Sequence, residues 1–383
     1  MHFPNKLSTN ERAVHLSRRA EAVANRLVRR ADKVRARAGL GGRKAAYDDA
    51  NYEFVGGPGE TLRRRHYDKS LRLLWKAEAH APWLGFEDCS KEERALLQMA
   101  EQSMKPAERD ALDRITQDEF RAMLKSTYTE RERQAIVNVL TAIGHGEAYA
   151  WLVSAELLGQ VQSTGARTAL TMQVLEEAKH FVVLRALMRS FDVPIPRQSA
   201  WEYLLLENVL KLDGLEKLFG MNVLVEGIAL SFFGLLAGAP GLEILQMFHL
   251  DEARHAALPS NYLAEFPMSE WEKKNPVART RRLKLVLPAL LLMPQLEPDL
   301  NELGIDAYEF GGSVVAKISA LAYRNGFYLP MPRWALLLAL DAVFNGWCAA
   351  TRDEHRWTSF TGFDSTKLEA LRRVERRVFY GAA

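Results

Sequence analysis

Residues 176–180 read EEAKH and residues 251–255 read DEARH. Each stretch has the form acid–Glu–any–basic–His. On a helix, residues three apart share a face, so Glu177 with His180, and Glu252 with His255, can each offer two ligands to one metal ion. A single Glu-x-x-His is what chance supplies in a chain of this composition; a second copy with the same flanking chemistry is not. Outward from these motifs lie two very apolar stretches. Residues 134–155, QAIVNVLTAIGHGEAYAWLVSA, hold one charged residue, Glu147, and residues 218–242, LFGMNVLVEGIALSFFGLLAGAPGL, hold only Glu226. A helix that is apolar all round is buried, and a buried carboxylate is costly unless it is paired or binds a metal. Neither helix carries a cation of its own, so each acid must find its partner on another helix. The chain order is lone Glu, Glu-x-x-His, lone Glu, Glu-x-x-His, the ligand inventory of a dinuclear site inside a four-helix bundle.

The spacing agrees. Glu147 and Glu177, and Glu226 and Glu252, are separated by the length of an antiparallel helical hairpin. The longer interval from His180 to Glu226 leaves room for a crossover, broken at Pro194 and Pro196. Helical periodicity covers approximately 61–80, 91–105, 107–126, 129–163, 167–191, 199–235, 241–265, 278–293, 306–325, 332–352 and 365–380, and strand signals are scarce. The expected fold class is all-α: a ferritin-like four-helix bundle with the dinuclear site in its core, at about 130–265, plus extra N- and C-terminal helices. The expected division is a basic helical arm with a Gly-rich linker at 1–60, then one di-metal domain at 61–383.

The whole chain of 383 residues has an ordinary globular composition, 48% hydrophobic and 26% charged, which excludes wholesale disorder. Two cysteines, Cys89 and Cys348, exclude a disulfide scaffold and any cysteine-ligated cluster. Charge is uneven: residues 1–66 hold 15 Lys and Arg against 7 Asp and Glu, so a basic leader precedes a mildly acidic body. In Arg12–Ala38, Leu16, Ala20, Val23, Leu27, Ala31 and Val34 form one helical stripe, expected to pack on the body. Without interleaved aromatics the arm is not expected to bind nucleic acid. The apolar runs are too short or too interrupted for a membrane span, and a cytoplasmic location is expected.

At these residues the sequence resembles the di-iron carboxylate proteins of the ferritin-like superfamily. DEARH is similar to the second motif of bacterial multicomponent monooxygenase hydroxylases and acyl-carrier-protein desaturases; the small subunit of class I ribonucleotide reductase is a more distant likeness. The resemblance implies that Glu147, Glu177 and His180 hold one iron and Glu226, Glu252 and His255 the other, with Glu177 and Glu252 as candidate bridges. Two Fe ions, or an Mn/Fe pair, suit such oxygen-rich ligation, and dioxygen is the implied co-substrate. It also implies that Glu176 orients His255, that Asp251 orients His180, and that Arg254, with Lys179, neutralises those acids.

The implied activity is that of an oxygen-activating di-iron oxidase or monooxygenase. It would act on a small, largely apolar organic substrate, use an external electron donor, and leave room for a homodimer. Departures from the relatives narrow this. Leu184 stands where radical-generating subunits carry a tyrosine, and Ala229, Leu230 and Ser231 stand where the monooxygenases carry a threonine. A radical-generating subunit with Tyr380 on its electron path, and a non-catalytic metal-binding bundle, are the alternatives. Phe232, Phe233 and Trp151 are candidates to wall a substrate cavity, Gly144, Gly146 and Gly227 to admit close neighbours, and Tyr149 to act in redox or hydrogen bonding. His145 and His249 read as ordinary core or surface histidines without the spacing of a standard ligand, with a seventh ligand the alternative for His249.

Overall fold

The computed structural model describes residues 6–38, 115–262, 271 and 274–352. Among these there are helices and no strands. In chain order they are α1 (Glu11–Arg37), α2 (Asp118–Thr127), α3 (Glu130–Leu158), α4 (Thr164–Ser190), α5 (Ala200–Leu210), α6 (Gly214–Leu218), a π-helical segment (Phe219–Val225), α7 (Glu226–Leu236), α8 (Leu245–Tyr262), α9 (Pro276–Glu302), α10 (Ala307–Arg324) and α11 (Arg333–Thr351). The expected helices at 61–80, 91–105 and 365–380, the glycine linker, Cys89 and Tyr380 lie outside the described residues.

Local chemistry sets the boundaries. The Thr129 hydroxyl accepts from the Glu132 amide at 3.2 Å and the Glu132 carboxylate accepts from the Thr129 amide at 2.9 Å, a reciprocal cap that opens α3. Ser163 and Ser199 cap α4 and α5 in the same sense, and Asp306 caps α10 through two amides. The single helix expected over 199–235 is broken instead. Asp213 and Gly214, the latter at φ +52°, restart the chain after α5, and a π-helical segment then runs into Glu226. The helix expected at 278–293 runs on to Glu302 despite Pro288, Pro294 and Pro298.

Two hairpins carry the lone glutamates and the paired motifs of the sequence. α3 packs along α4, and α7 along α8; α4 then meets α8, and α3 meets α7. The turn between α7 and α8 depends on Gly241 at φ +80°, where a Cβ would lie 2.7 Å from Leu124 Cδ2. The Tyr128 hydroxyl donates to Pro240 O at 2.7 Å and ties this turn to the start of α3. One continuous apolar core joins the hairpins to α5, α9 and α10.

The arm also differs from expectation. α1 does pack on α9, α5 and α11, but through Ala13, Val14, Ser17 and Val28, while Leu16, Val23, Leu27 and Val34 are exposed. Polar anchors fix this phase: Asn10 N donates to Glu297 at 3.0 Å, Ser17 Oγ to Leu291 O at 3.0 Å, and Glu21 accepts from Gln295 Nε2 and the Ala200 amide. Hydrophobicity alone points to the wrong face because small residues allow the close approach. By length and composition, Gly214–Leu236 and Arg333–Thr351 could cross a membrane; the first is mostly buried in the fold and the second mostly is not.

Candidate metal centre

Glu147 comes from the middle of α3, Glu176, Glu177 and His180 from α4, Glu226 from the first turn of α7, and Asp251, Glu252, Arg254 and His255 from α8. The fold brings all nine together. Glu177, His180 and Glu252 are fully buried, and Glu147, Glu226 and His255 nearly so. Ligand atoms of Glu147, Glu177, His180 and Glu252 lie within 4.8 Å of one another, as do those of Glu177, Glu226, Glu252 and His255. Glu177 and Glu252 belong to both groups. The three-plus-three partition expected from the sequence is therefore, in the structure, two groups of four that share two carboxylates.

The halves are arranged alike. His180 Nδ1 faces inward, 3.3 Å from Glu147 Oε2 and 2.9 Å from Glu252 Oε1. His255 Nδ1 faces inward too, 3.1 Å from Glu177 Oε1, 3.1 Å from Glu252 Oε2 and 3.7 Å from Glu226 Oε1. The outward nitrogens donate to the opposite motif: His180 Nε2 to Asp251 Oδ2 at 3.0 Å and His255 Nε2 to Glu176 Oε2 at 2.8 Å. Arg254 bridges Glu176 and Asp251, and Lys179 Nζ lies 2.7 Å from Asp251 Oδ2. A carboxylate on the outer nitrogen leaves the inner one as a lone-pair donor, the tautomer a metal ligand needs.

Electrostatics oppose this cluster as bare carboxylates. Burial, with the Glu252 charge beside it, pushes the Glu147 carboxyl well above its usual range; burial, with Glu177 and Glu252, does the same to Glu226. Burial alone would lower the two histidines. The carboxylates of Asp251, Glu147 and Glu252 around His180, and the charges of Glu177 and Glu252 on His255, raise both well above normal instead. Asp251 pays for burial as well, yet Lys179, Arg254 and His180 hold it well below the usual carboxylate range.

The donor set fits a pair of divalent cations. Four carboxylates balance two such ions, and Glu177 Oε2 and Glu252 Oε1 are buried with no hydrogen bond of acceptable geometry. Oxygen-rich ligation with one imidazole per ion suits iron or manganese.

Sequence reading missed an amide pair. Gln173 Nε2 donates to Glu226 Oε1 at 2.8 Å and Glu177 Oε1 at 3.1 Å, and Asn222 Nδ2, from the π segment, donates to Gln173 Oε1 at 2.9 Å and His255 O at 3.1 Å. Gln173 lies four residues before Glu177, on the same helix face, which was the available signal.

An apolar cavity of about 120 Å³ borders the cluster and is lined by Glu147 and Glu226. Phe232, Ile228, Ala229 and Gly146 line it as well. Its far wall comes from α9 and α10, including Leu290, Met293, Phe310 and Ile318. Two expected wall residues do not take part: Trp151 is 40% exposed, and Phe233 stacks edge-on against Phe248. Gly227 lets α10 approach, since a Cβ there would lie 2.7 Å from Ile318 Cγ1. His249 is not in either donor group; its Nδ1 donates to Leu230 O at 2.8 Å. The Ser231 hydroxyl is spent on Gly227 O at 2.9 Å, and Leu184 and Tyr149 are core residues.

Comparison of the chain with protein-family models, with curated proteins and with solved structures finds no match.

Proposed function

We propose that the chain is an oxygen-activating dinuclear oxidase or monooxygenase of ferritin-like architecture, acting on a small, largely apolar organic molecule. The observation that carries this reading is the pair of buried four-residue donor groups sharing Glu177 and Glu252, set against an apolar cavity. Glu147 and His180 would hold one ion and Glu226 and His255 the other, with Glu177 and Glu252 between them. Two iron ions bound there would supply electrons for the reduction of dioxygen, and an external donor would restore them.

The chain's own residues then have definite tasks. Asp251 and Glu176 hold the histidine rings with Nδ1 turned to the carboxylate cluster, where it would serve as a ligand. Gln173, braced by Asn222, fixes the Glu226 carboxylate. Lys179 and Arg254 balance the outer acids at the rim, where each is about a quarter to a third exposed. The cavity keeps bulk water from the reacting side and receives apolar substrate. Nucleic acid plays no part in this reading, a homodimer is compatible with it, and we place the protein in the cytoplasm.

Elemental analysis tests the metals: about two iron, or iron plus manganese, ions per chain are expected when the cells are supplied with both. One zinc per chain would overturn the reading. Anaerobic reduction followed by exposure to oxygen tests the activity: oxygen uptake stimulated by small apolar molecules is expected. A lasting radical that ignores such molecules and is quenched by a partner protein would instead favour a radical-generating subunit.

A further inference from the structure

The cavity has one feature that the metal centre does not use. Apart from Glu147 and Glu226, its described lining includes a single further polar side chain, Glu202, in the first turn of α5. The rest of that lining is aliphatic, aromatic, methionine or glycine, and it contains no cation, hydroxyl or amide side chain. Glu202 is buried, 7% exposed, and its Oε2 accepts from His145 Nδ1 at 2.9 Å. Ser199, which caps α5, also hydrogen-bonds to the Glu202 carboxylate. A carboxylate has about four lone-pair sites, so these two neighbours orient the group and leave accepting capacity for a ligand. A carboxylate kept in an otherwise apolar wall is costly to solvate poorly, and it is suited to meeting a donor.

We propose that Glu202 is a specificity-determining residue that accepts a hydrogen bond from an amine or hydroxyl group on an otherwise apolar substrate. Size follows from the cavity. At about 120 Å³ it compares with the roughly 150 Å³ engineered apolar cavity known to hold benzene, so a single ring or a chain of similar bulk fits. A substrate acid is disfavoured beside Glu202, since the cavity's described lining offers that wall no cationic side chain. The preference follows from pairing: a site built to accept a hydrogen bond discriminates against an analogue that lacks the donor. This inference deepens the dinuclear reading, but the binding step it describes does not require the metals.

The test is calorimetric titration of the full chain, as purified and after chelator treatment, with four probes of one size: benzylamine, benzyl alcohol, toluene and benzoate. Metal content is measured in parallel, so that an absence of metal counts against the dinuclear reading alone. Benzylamine and benzyl alcohol are expected to bind at least about tenfold more tightly than toluene in both preparations, with benzoate weakest in the chelator-treated one. Glu202→Gln keeps an accepting oxygen for the helix cap but loses the charge. It should remove most of the donor preference while leaving toluene affinity unchanged. Glu202→Asp, which retains charge on a shorter stem, should keep part of the preference and covers the case in which the first variant fails to fold. Equal affinity for toluene and benzyl alcohol, absence of binding by any probe, or an undiminished preference in Glu202→Gln would overturn the proposal. So would a preference that disappears with the metals, since the ions would then be holding the donor.

Discussion

Asp251 is where the two motifs meet. It accepts from His180 across the helix pair, from Arg254 one turn along its own helix, and from Lys179 on the facing helix. The two cations keep it ionised, and the ionised form in turn keeps the His180 proton on the outer nitrogen. Asp251→Asn preserves size but removes the charge, and its amide can present a donor to the ring. Metal affinity at the His180 side should fall by roughly ten- to a hundredfold, the usual effect of losing a carboxylate behind a ligating histidine. Competition with a chromophoric chelator would measure it, and wild-type affinity would mean that Asp251 only neutralises Lys179 and Arg254. The same logic applies to Gln173, which holds two ligand carboxylates at once. Gln173→Leu should weaken metal binding by about tenfold with little change in far-UV helicity. The six donors were legible in the sequence because each is an isolated charge on an apolar helix or part of a repeated motif. Gln173, Asn222 and Glu202 were not, because an amide, or an acid in the first turn of a helix, looks the same whether or not it faces a site.

At the scale of elements, the π-helical segment before Glu226 needs an outside anchor. Arg282 of α9 provides one. It is fully buried, with Nε donating to Glu216 Oε2 at 3.0 Å and a terminal nitrogen donating to Tyr328 O at 2.9 Å, and it lies between the rings of Phe219 and Phe327. Glu216 precedes the segment and Phe219 begins it. Arg282→Ala therefore leaves Glu216 without its principal partner and opens a large void at the base of the π turn. The expected cost is about 3–5 kcal/mol, measurable by denaturant unfolding; a change below about 1 kcal/mol would show that the segment holds itself. Helix existence was legible here, and continuity was not. Residues 199–235 satisfy helical periodicity from end to end, yet the chain breaks at Asp213–Gly214 and widens to π geometry, because the register of Glu226 is set by packing against other helices. Likewise Pro288, Pro294 and Pro298 argue for breaks in α9. The helix persists while its inner face packs on α1, α3, α5 and α10 and forms the cavity wall.

For the molecule as a whole, the centre makes stability depend on metal and pH together. In the metal-free chain, burial raises Glu147 and Glu226, and the surrounding carboxylates raise His180 and His255. A group whose pKa is raised by folding contributes stability that is complete below its unfolded value and is lost as pH climbs through the folded one. For the glutamates that loss begins above about pH 4, and for the histidines above about pH 6.5. Asp251 and Glu252 act in the opposite sense, since both are lowered, and their contribution disappears only in acid. Between pH 6 and 9 the metal-free chain should therefore lose stability steadily as the raised groups give up protons. Divalent ions displace those protons and neutralise the carboxylates directly, so the loaded chain escapes the loss. Each proton displaced corresponds to about 1.4 kcal/mol per pH unit, or roughly 2–4 °C in a domain of this size. Scanning calorimetry of loaded and chelator-treated protein across that range should show a Tm gap that widens with pH. A constant gap would mean that the ions stabilise without replacing protons, and the six-residue cluster would then have to be ionised already in the metal-free fold.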